Sequence, residues 1–146
     1  MNEVEKAILC FNKGYSCSQA ILSTYGPKFG LEYNLAIRIT GGFGGGIARL
    51  GYTCGAVSGA IMVLGLKYCP LKASDQKNKD KTYEMIRTFI NKFNSIHGSI
   101  ACRELLDCDI STPEGRLAAL EKRLFQNLCP NLVRDSANIL EELIKD

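Results

Sequence analysis

The sequence predicts an all-α protein, a compact helical bundle around a buried central helix at about residues 54–68. Three observations carry this prediction. Segment after segment places apolar residues at i, i+3, i+4 and i+7, the spacing of one helix face. The stretch "CGAVSGAIMVLGLKY", beginning at Cys54, is apolar around its whole circumference, as a helix covered on every side must be. No run alternates apolar and polar residues for long enough to make a strand.

Taken in order, Val4, Ala7, Ile8 and Phe11 set the first helix, and Gly14 ends it in the manner of a left-handed C-terminal glycine. Ser16 caps a second helix through about Tyr25, which Gly26 and Pro27 stop. A third runs from about Asn34 to Thr40, ahead of "GGFGGG". In the central helix Gly55 and Gly59, with Ala56 and Ala60 beside them, let a neighbouring helix come close, while Val57, Ile61 and Leu64 supply bulk elsewhere. Residues 72–81, "KASDQKNKDK", read as a solvated linker. Beyond it, Tyr83, Ile86, Phe89, Ile90, Phe93 and Ile96 make a long amphipathic helix ending at His97 and Gly98. Ser99 caps a short turn over "IACRELL", Thr112 with Pro113 opens "PEGRLAALEKRLF", and Pro130 opens the last helix.

The 146 residues fit one domain, 1–146, large enough to bury most of its apolar surface without staples. Lys and Arg number 18 against 15 Asp and Glu, a net charge of +3, too mild for a nucleic-acid partner. The longest uncharged stretch, the 17 residues Leu50 to Leu66, is broken by glycines and falls short of a membrane span. The glutamates of "MNEVEKAILCFNKG" stand where a signal peptide carries basic residues, so the expected location is the cytoplasm. Seven cysteines in such a chain point to metal or redox chemistry more than to a disulfide framework.

Four of the seven share one kind of place. Cys17, Cys54, Cys102 and Cys129 each fall in or next to a first helical turn, where unpaired N–H groups and the positive end of the macrodipole favour a thiolate. A thiolate is both the nucleophile and the metal ligand. Cys10, Cys69 and Cys108 lie in a helix interior, at a helix end and between aspartates, and are read as filler or surface thiols.

The stretches that hold the four cysteines, "GYSCSQA", "GGFGGGIARLGYTCGAVSGAIMVLGL", "FNSIHGSIACRELL" and "NLCPNLV", resemble the redox-active proteins named for a C...CGAxxG...C...C pattern. Cys54, Gly55, Ala56, Val57, Ser58 and Gly59 match the CGAxxG element, and Cys17, Cys102 and Cys129 fall at the other three cysteine positions. That family is similar in turn to the iron–sulfur portion of split-Soret-type cytochromes, although this chain has no C-x-x-C-H for covalent haem. The resemblance implies redox activity through those four cysteines, with an iron–sulfur cluster as an implied cofactor.

Four cysteines equal the ligand set of a 2Fe-2S or 4Fe-4S cluster or of an all-cysteine zinc site. Their separations of 37, 48 and 27 residues contain no local C-x-x-C pair, so only the folded bundle can gather them. A cluster surrounded by helix N-termini is the favoured reading. A cofactor-free dithiol/disulfide protein follows it, then zinc, then a structural or partner-binding bundle whose cysteines merely pack. An electron-transfer partner is implied, and the small-residue faces are compatible with a homodimer.

Around the cysteines, Gly55, Arg49 and Arg103 are candidates to support the site. Arg49 is the one charge between Ile39 and Leu66, and Arg103 adjoins Cys102; each is either solvated or a countercharge to thiolates. The glycines of "GGFGGGIARLG" are not a nucleotide loop, since they lack G-x-G-x-x-G in register and G-K-[ST], and no strand precedes them. They predict either a plain interhelical loop or a tight crossing whose N–H groups approach Cys54 or a bound anion. Tyr15 and Tyr52, each two residues before a site cysteine, either bond a sulfur or bury an aromatic body. The lone histidine, His97, suits a helix C-terminus without any ligand role.

Overall fold

A computed structural model describes residues 1–145. Asn2 opens α1 (Glu3–Asn12) through a capping box with Glu5, and Ser16 opens α2 (Cys17–Tyr25) through one with Gln19. A short 3-10 turn over Gly26–Phe29 leads to α3 (Tyr33–Ile39), capped by Glu32. The central helix is α4 (Gly55–Tyr68). Then follow α5 (Gln76–His97), α6 (Cys102–Leu106), α7 (Pro113–Glu121), α8 (Leu124–Asn127) and α9 (Cys129–Leu143). The described residues contain no strand beyond one isolated bridge, so the fold is all-α.

Residues 55–60 of α4 are buried without interruption. Their small side chains set the closest helix pair of the fold, α2 on α4. A Cβ on Gly59 would stand 3.1 Å from Ile21 Cβ and from the Ser18 carbonyl, so α2 lies directly against this face. Helices α5 and α9 cover other sides of α4, and α1 packs on α2 and α9. Polar bonds fix these helices where packing alone would let them slide. Ser136 donates to the Ala56 carbonyl at 2.7 Å, and Tyr25 donates to Glu141 at 2.9 Å. Phe89 and Phe93 of α5 are fully buried, and each contributes about 1.5–3 kcal/mol by leaving water.

Two apolar clusters result. The larger joins α1, α2, α4, α5 and α9 and includes Cys54. The smaller holds Cys102, Leu106, Cys108, Ile110, Ala119 and Cys129. Phe11, Cys17 and Leu128 pack against both, so the seam between the clusters runs through the cysteines.

Two element boundaries differ from the sequence prediction. The polar segment read as linker through residue 81 turns helical at Gln76, because Asp75 accepts from the Asn78 N–H at 3.2 Å and Gln76 bonds Asp80 one turn on. Lysine and glutamine are good helix formers when solvated. The helix opened by Pro113 stops at Glu121, because Arg123 takes a left-handed conformation at φ 55°. The chain turns there and starts α8 afresh.

Candidate functional site

Each of the four cysteines stands at a helix start that the local sequence builds. Cys17 is the first residue of α2, behind Ser16, whose hydroxyl accepts from the Gln19 N–H while the Gln19 side chain accepts from the Ser16 N–H. Cys129 is the first residue of α9, followed by Pro130, whose missing N–H would have had no helical partner there. Cys54 is the N-cap of α4 and Cys102 the first residue of α6. These two are fastened together by backbone: Cys54 N–H donates to Ile100 O at 2.7 Å, Cys102 N–H to Tyr52 O at 2.6 Å, and Arg103 N–H to Gly51 O at 3.0 Å. The antiparallel bridge between Thr53 and Ala101 lies between them.

The loop before Cys54 has an unusual backbone. Gly45, Gly46, Ile47, Ala48 and Arg49 are five consecutive residues at positive φ, from 49° to 72°. For L-residues this hand costs about 1–2 kcal/mol each, so the three non-glycines carry stored strain. Backbone bonds hold the turn: Ala48 N–H to Gly42 O and Arg49 N–H to Gly44 O, each at 2.9 Å, and Tyr52 N–H to Gly46 O at 2.8 Å. Gly46 is required twice over. Its φ is 72°, and a Cβ there would stand 2.7 Å from Cys102 Cβ and 2.6 Å from Tyr52 N. The crossing predicted from the glycines is therefore present, but it presses on Cys102 rather than on Cys54.

One cavity of about 930 Å³ is lined by Cys17, Cys54, Cys102 and Cys129 together. Gly55 and Arg49 also line it; Arg103 does not. Instead Arg103 reaches the Leu50 carbonyl and Asp109, each at 3.3 Å, and braces the loop from outside. Arg116, on α7, lines the cavity and escaped the sequence reading. Its only sequence signal was a charge in an amphipathic helix, which by itself means a solvated face. Among the described residues no aspartate or glutamate lines this cavity.

The family model described as "Putative redox-active protein (C_GCAxxG_C_C)" matches residues 15–143. The chain belongs to that family. No curated protein and no solved structure matches it. The family label writes GCAxxG, whereas this chain reads Cys54-Gly55-Ala56-Val57-Ser58-Gly59, cysteine first. The local geometry accounts for the order in this chain: Cys54 takes the extended N-cap conformation, and a Cβ at position 55 would stand 2.8 Å from Ser18 N and 3.0 Å from Cys17 Cβ.

Cys17, Cys54 and Cys102 have unlike acidities here. Cys54 is held below the ordinary thiol range, chiefly by a hydrogen bond from Cys17. Burial opposes that, and the amides of Ala56 and Val57 reinforce it, although no full capping hydrogen bond forms. Cys17 is pushed well up, first by its hydrogen bonds to Cys129 and Cys54 and then by burial. Cys102 is pushed up to about 12, by burial first and then by the charges of Cys54 and Cys129. The helix-start argument predicts thiols that ionise more readily than usual, and for Cys17 and Cys102 the result is the opposite. For Cys17 and Cys102, burial among other thiols outweighs the stabilisation a helix end offers, while Cys54 is spared by its neighbour Cys17.

The remaining cysteines lie apart from this cavity. Cys10 bonds Ser23 at 3.7 Å between α1 and α2, Cys69 is exposed beyond α4, and Cys108 packs in the smaller apolar cluster. All seven are free thiols. Tyr15 lines the cavity, while Tyr52 is exposed and serves through its backbone carbonyl. His97 stacks on Phe93 and meets Asp135 at 2.9 Å, outside the cavity wall.

Among the described residues no three side chains of His, Cys, Asp and Glu are drawn into a group that could hold a metal ion. The thiols surround a space instead. Four sulfurs on a wall with two arginines and no carboxylate are a donor set compatible with an anionic polynuclear cluster. The same sulfurs also include Cys54, which neighbouring Cys17 holds below the ordinary thiol range, and a thiol that ionises more readily beside a second thiol suits disulfide chemistry. Among the described residues no helix is long and apolar enough to cross a membrane.

Proposed function

We propose that this redox-active protein uses Cys17, Cys54, Cys102 and Cys129 to hold an iron–sulfur cluster for electron transfer. One observation carries the reading: four helix starts from distant parts of the chain bring their thiols to the wall of a single cavity. A bound cluster supplies one-electron chemistry, with a potential set by ligands, nearby charge and exposure. The chain's own part is to orient the four sulfurs, to present the N–H groups of the first turns, and to keep negative side chains away. Arg49 and Arg116 place positive charge on the same wall, the sign opposite to that of a cluster held by thiolates.

The second reading is a cofactor-free dithiol/disulfide protein, favoured by the hydrogen bonds of Cys17 to Cys54 and Cys129. There, Cys17 and one partner give two electrons and two protons to an acceptor and form one S–S bond.

Purification without oxygen, followed by iron and labile-sulfide analysis and visible spectroscopy, tests the choice. Iron and sulfide in near-equal amounts, with colour that bleaches on oxidation, support the cluster. A colourless, metal-free protein that loses two hydrogens per cycle and carries a mapped disulfide at Cys17 overturns it in favour of the second reading. A sample that does neither overturns both.

A further inference from the structure

The four-cysteine cavity is larger than its thiols need. At about 930 Å³ it falls near the top of the range of roughly 300–1,000 Å³ typical of sites for small organic ligands. Among the described residues its charged groups are Arg49 and Arg116, with no carboxylate on the wall. Among the described residues neither arginine has an ion-pair or side-chain hydrogen-bond partner. Both side chains are exposed, whereas the neighbouring Arg103 is paired with Asp109 and with a carbonyl. Two arginines left unpaired on one cavity are a different arrangement.

Both are set in place by backbone. Arg49 ends the left-handed turn of residues 45–49, and a Cβ on Gly45 would stand 2.9 Å from Arg49 Cα and 3.2 Å from Ile110 Cδ1. Ile110 belongs to the turn that leads into α7. There, Thr112 N–H and hydroxyl both donate to the Asp109 carbonyl, and Gly115 lies so close to that carbonyl that no side chain fits. Arg116 follows Gly115 directly. Two turns in contact through Ile110 therefore carry the two guanidiniums onto the cavity of the cysteines.

We infer that this cavity binds a small anionic substrate, a carboxylate or an oxyanion, whose charge is held by Arg49 and Arg116 beside the cysteine sulfurs. Guanidinium is the group suited to this role, because its planar fork matches two oxygens of such an anion. The inference deepens the redox reading and rests on it for the substrate's purpose. Anion binding itself needs only the arginines and the cavity.

Calorimetric titration of the as-purified protein at low ionic strength tests it, with inorganic phosphate and malonate as separate probes. At least one should bind at a single saturable site, with an affinity that falls as salt rises. Arg49→Gln and Arg116→Gln should each weaken binding about tenfold, the pair should abolish it, and Arg87→Gln on α5 should change nothing. Binding of phosphate alone assigns a phosphorylated or inorganic oxyanion substrate, and of malonate alone a carboxylate. Thiol alkylation then checks nearness: anionic iodoacetate should gain on neutral iodoacetamide relative to their ratio on free cysteine, and the double variant should lose that gain. Where neither reagent reacts, calorimetry alone decides. No binding of either probe, binding that survives the double variant, or an alkylation ratio equal to that of free cysteine overturns the inference. Absence of iron, sulfide and a disulfide would sink the redox reading and leave this result standing.

Discussion

Cys17 bonds both Cys129 and Cys54, and the two ends of the Cys17–Cys54 bond part company: Cys54 is lowered chiefly by Cys17, while Cys17 is raised first by Cys129 and then by Cys54. The proton stays on Cys17, and Cys54 becomes the most readily ionised of the pair. Had both been governed by their helix ends alone, both would be lowered.

The first prediction follows from that bond. In reduced, metal-free protein, the alkylation rate of Cys54 should inflect at a lower pH than that of free cysteine. Cys17→Ala removes the largest cause of the lowering, so the inflection should move up and the rate at neutral pH should fall. A pH–rate profile of single-site labelling, read by mass spectrometry, checks it. An unmoved inflection would show that the amides of Ala56 and Val57 hold the thiolate unaided.

The second concerns alkaline stability. Cys102 has its folded value raised from near 9 to about 12, so the folded state keeps a proton that the unfolded chain gives up. The stability this contributes is complete below pH 9 and is lost as pH rises from there toward 12. The slope is at most about 1.4 kcal/mol per pH unit for one proton. Cys17, also raised, adds in the same direction. Urea midpoints of the reduced protein should therefore fall more steeply above pH 9 than those of Cys102→Ala. Parallel curves would mean that Cys102 ionises as freely folded as unfolded.

Much of this arrangement was legible in the sequence, and what was not has physical reasons. Ser16 three residues before Gln19, Thr112 before Pro113, and the all-round apolar helix after Cys54 are local signals, and they mark helix starts wherever the chain later goes. Convergence of distant starts has no local signal; the cysteine pattern and the family resemblance supplied that expectation. The left-handed turn was hidden because Ile47 is among the residues least suited to positive φ, and a set of backbone bonds, to the carbonyls of Gly42, Phe43, Gly44, Gly45 and Gly46 among others, sustains it. Arg116 was hidden because its role depends on the contact of Ile110 with Gly45, two segments far apart in the chain. Arg103, which the sequence left open between solvent and the site, lies outside: its neighbour Cys102 lines the cavity while its own side chain is drawn away to Asp109.

The third prediction separates the two sets of cysteines. Serine at Cys10, Cys69 or Cys108 should leave iron, labile sulfide and redox titre within experimental error of the parent. Serine at Cys17 or Cys129 should remove most of all three. Cys108 is buried, so its variant should also lose stability, on the order of 1 kcal/mol, without losing the redox signal. Equal losses in both sets would mean that the cavity is not where the chemistry resides.

The last prediction uses three glycines of α4 as a graded probe of how closely the site is built on α2. Alanine is the better helix former by roughly 1 kcal/mol at an interior position. At Gly65 nothing lies within 4 Å of a new Cβ, so Gly65→Ala should stabilise by about that amount. At Gly59 the methyl would meet Ile21 Cβ and the Ser18 carbonyl at 3.1 Å and Ser18 Cα at 3.2 Å. Those are backbone and stem atoms with little freedom, so an overpacking cost of about 1–3 kcal/mol should exceed the helical gain and lower the midpoint modestly. At Gly55 the obstacles are Ser18 N at 2.8 Å and Cys17 Cβ at 3.0 Å, too close for any Cβ, and the position is the first of the helix, where propensity gains little. Gly55→Ala should therefore be the most destabilising of the three and should push Cys17 away from Cys54, raising the pH at which Cys54 is alkylated. Thermal midpoints measured with the Cys54 pH–rate profile test both parts together. The order Gly65, Gly59, Gly55 from gain to loss, with only the last two able to disturb the thiols, is the expected result. A stabilising Gly55→Ala with an unchanged profile would mean that α2 and α4 stand farther apart than these contacts require, and that the Cys17–Cys54 pair is not set by the glycine face.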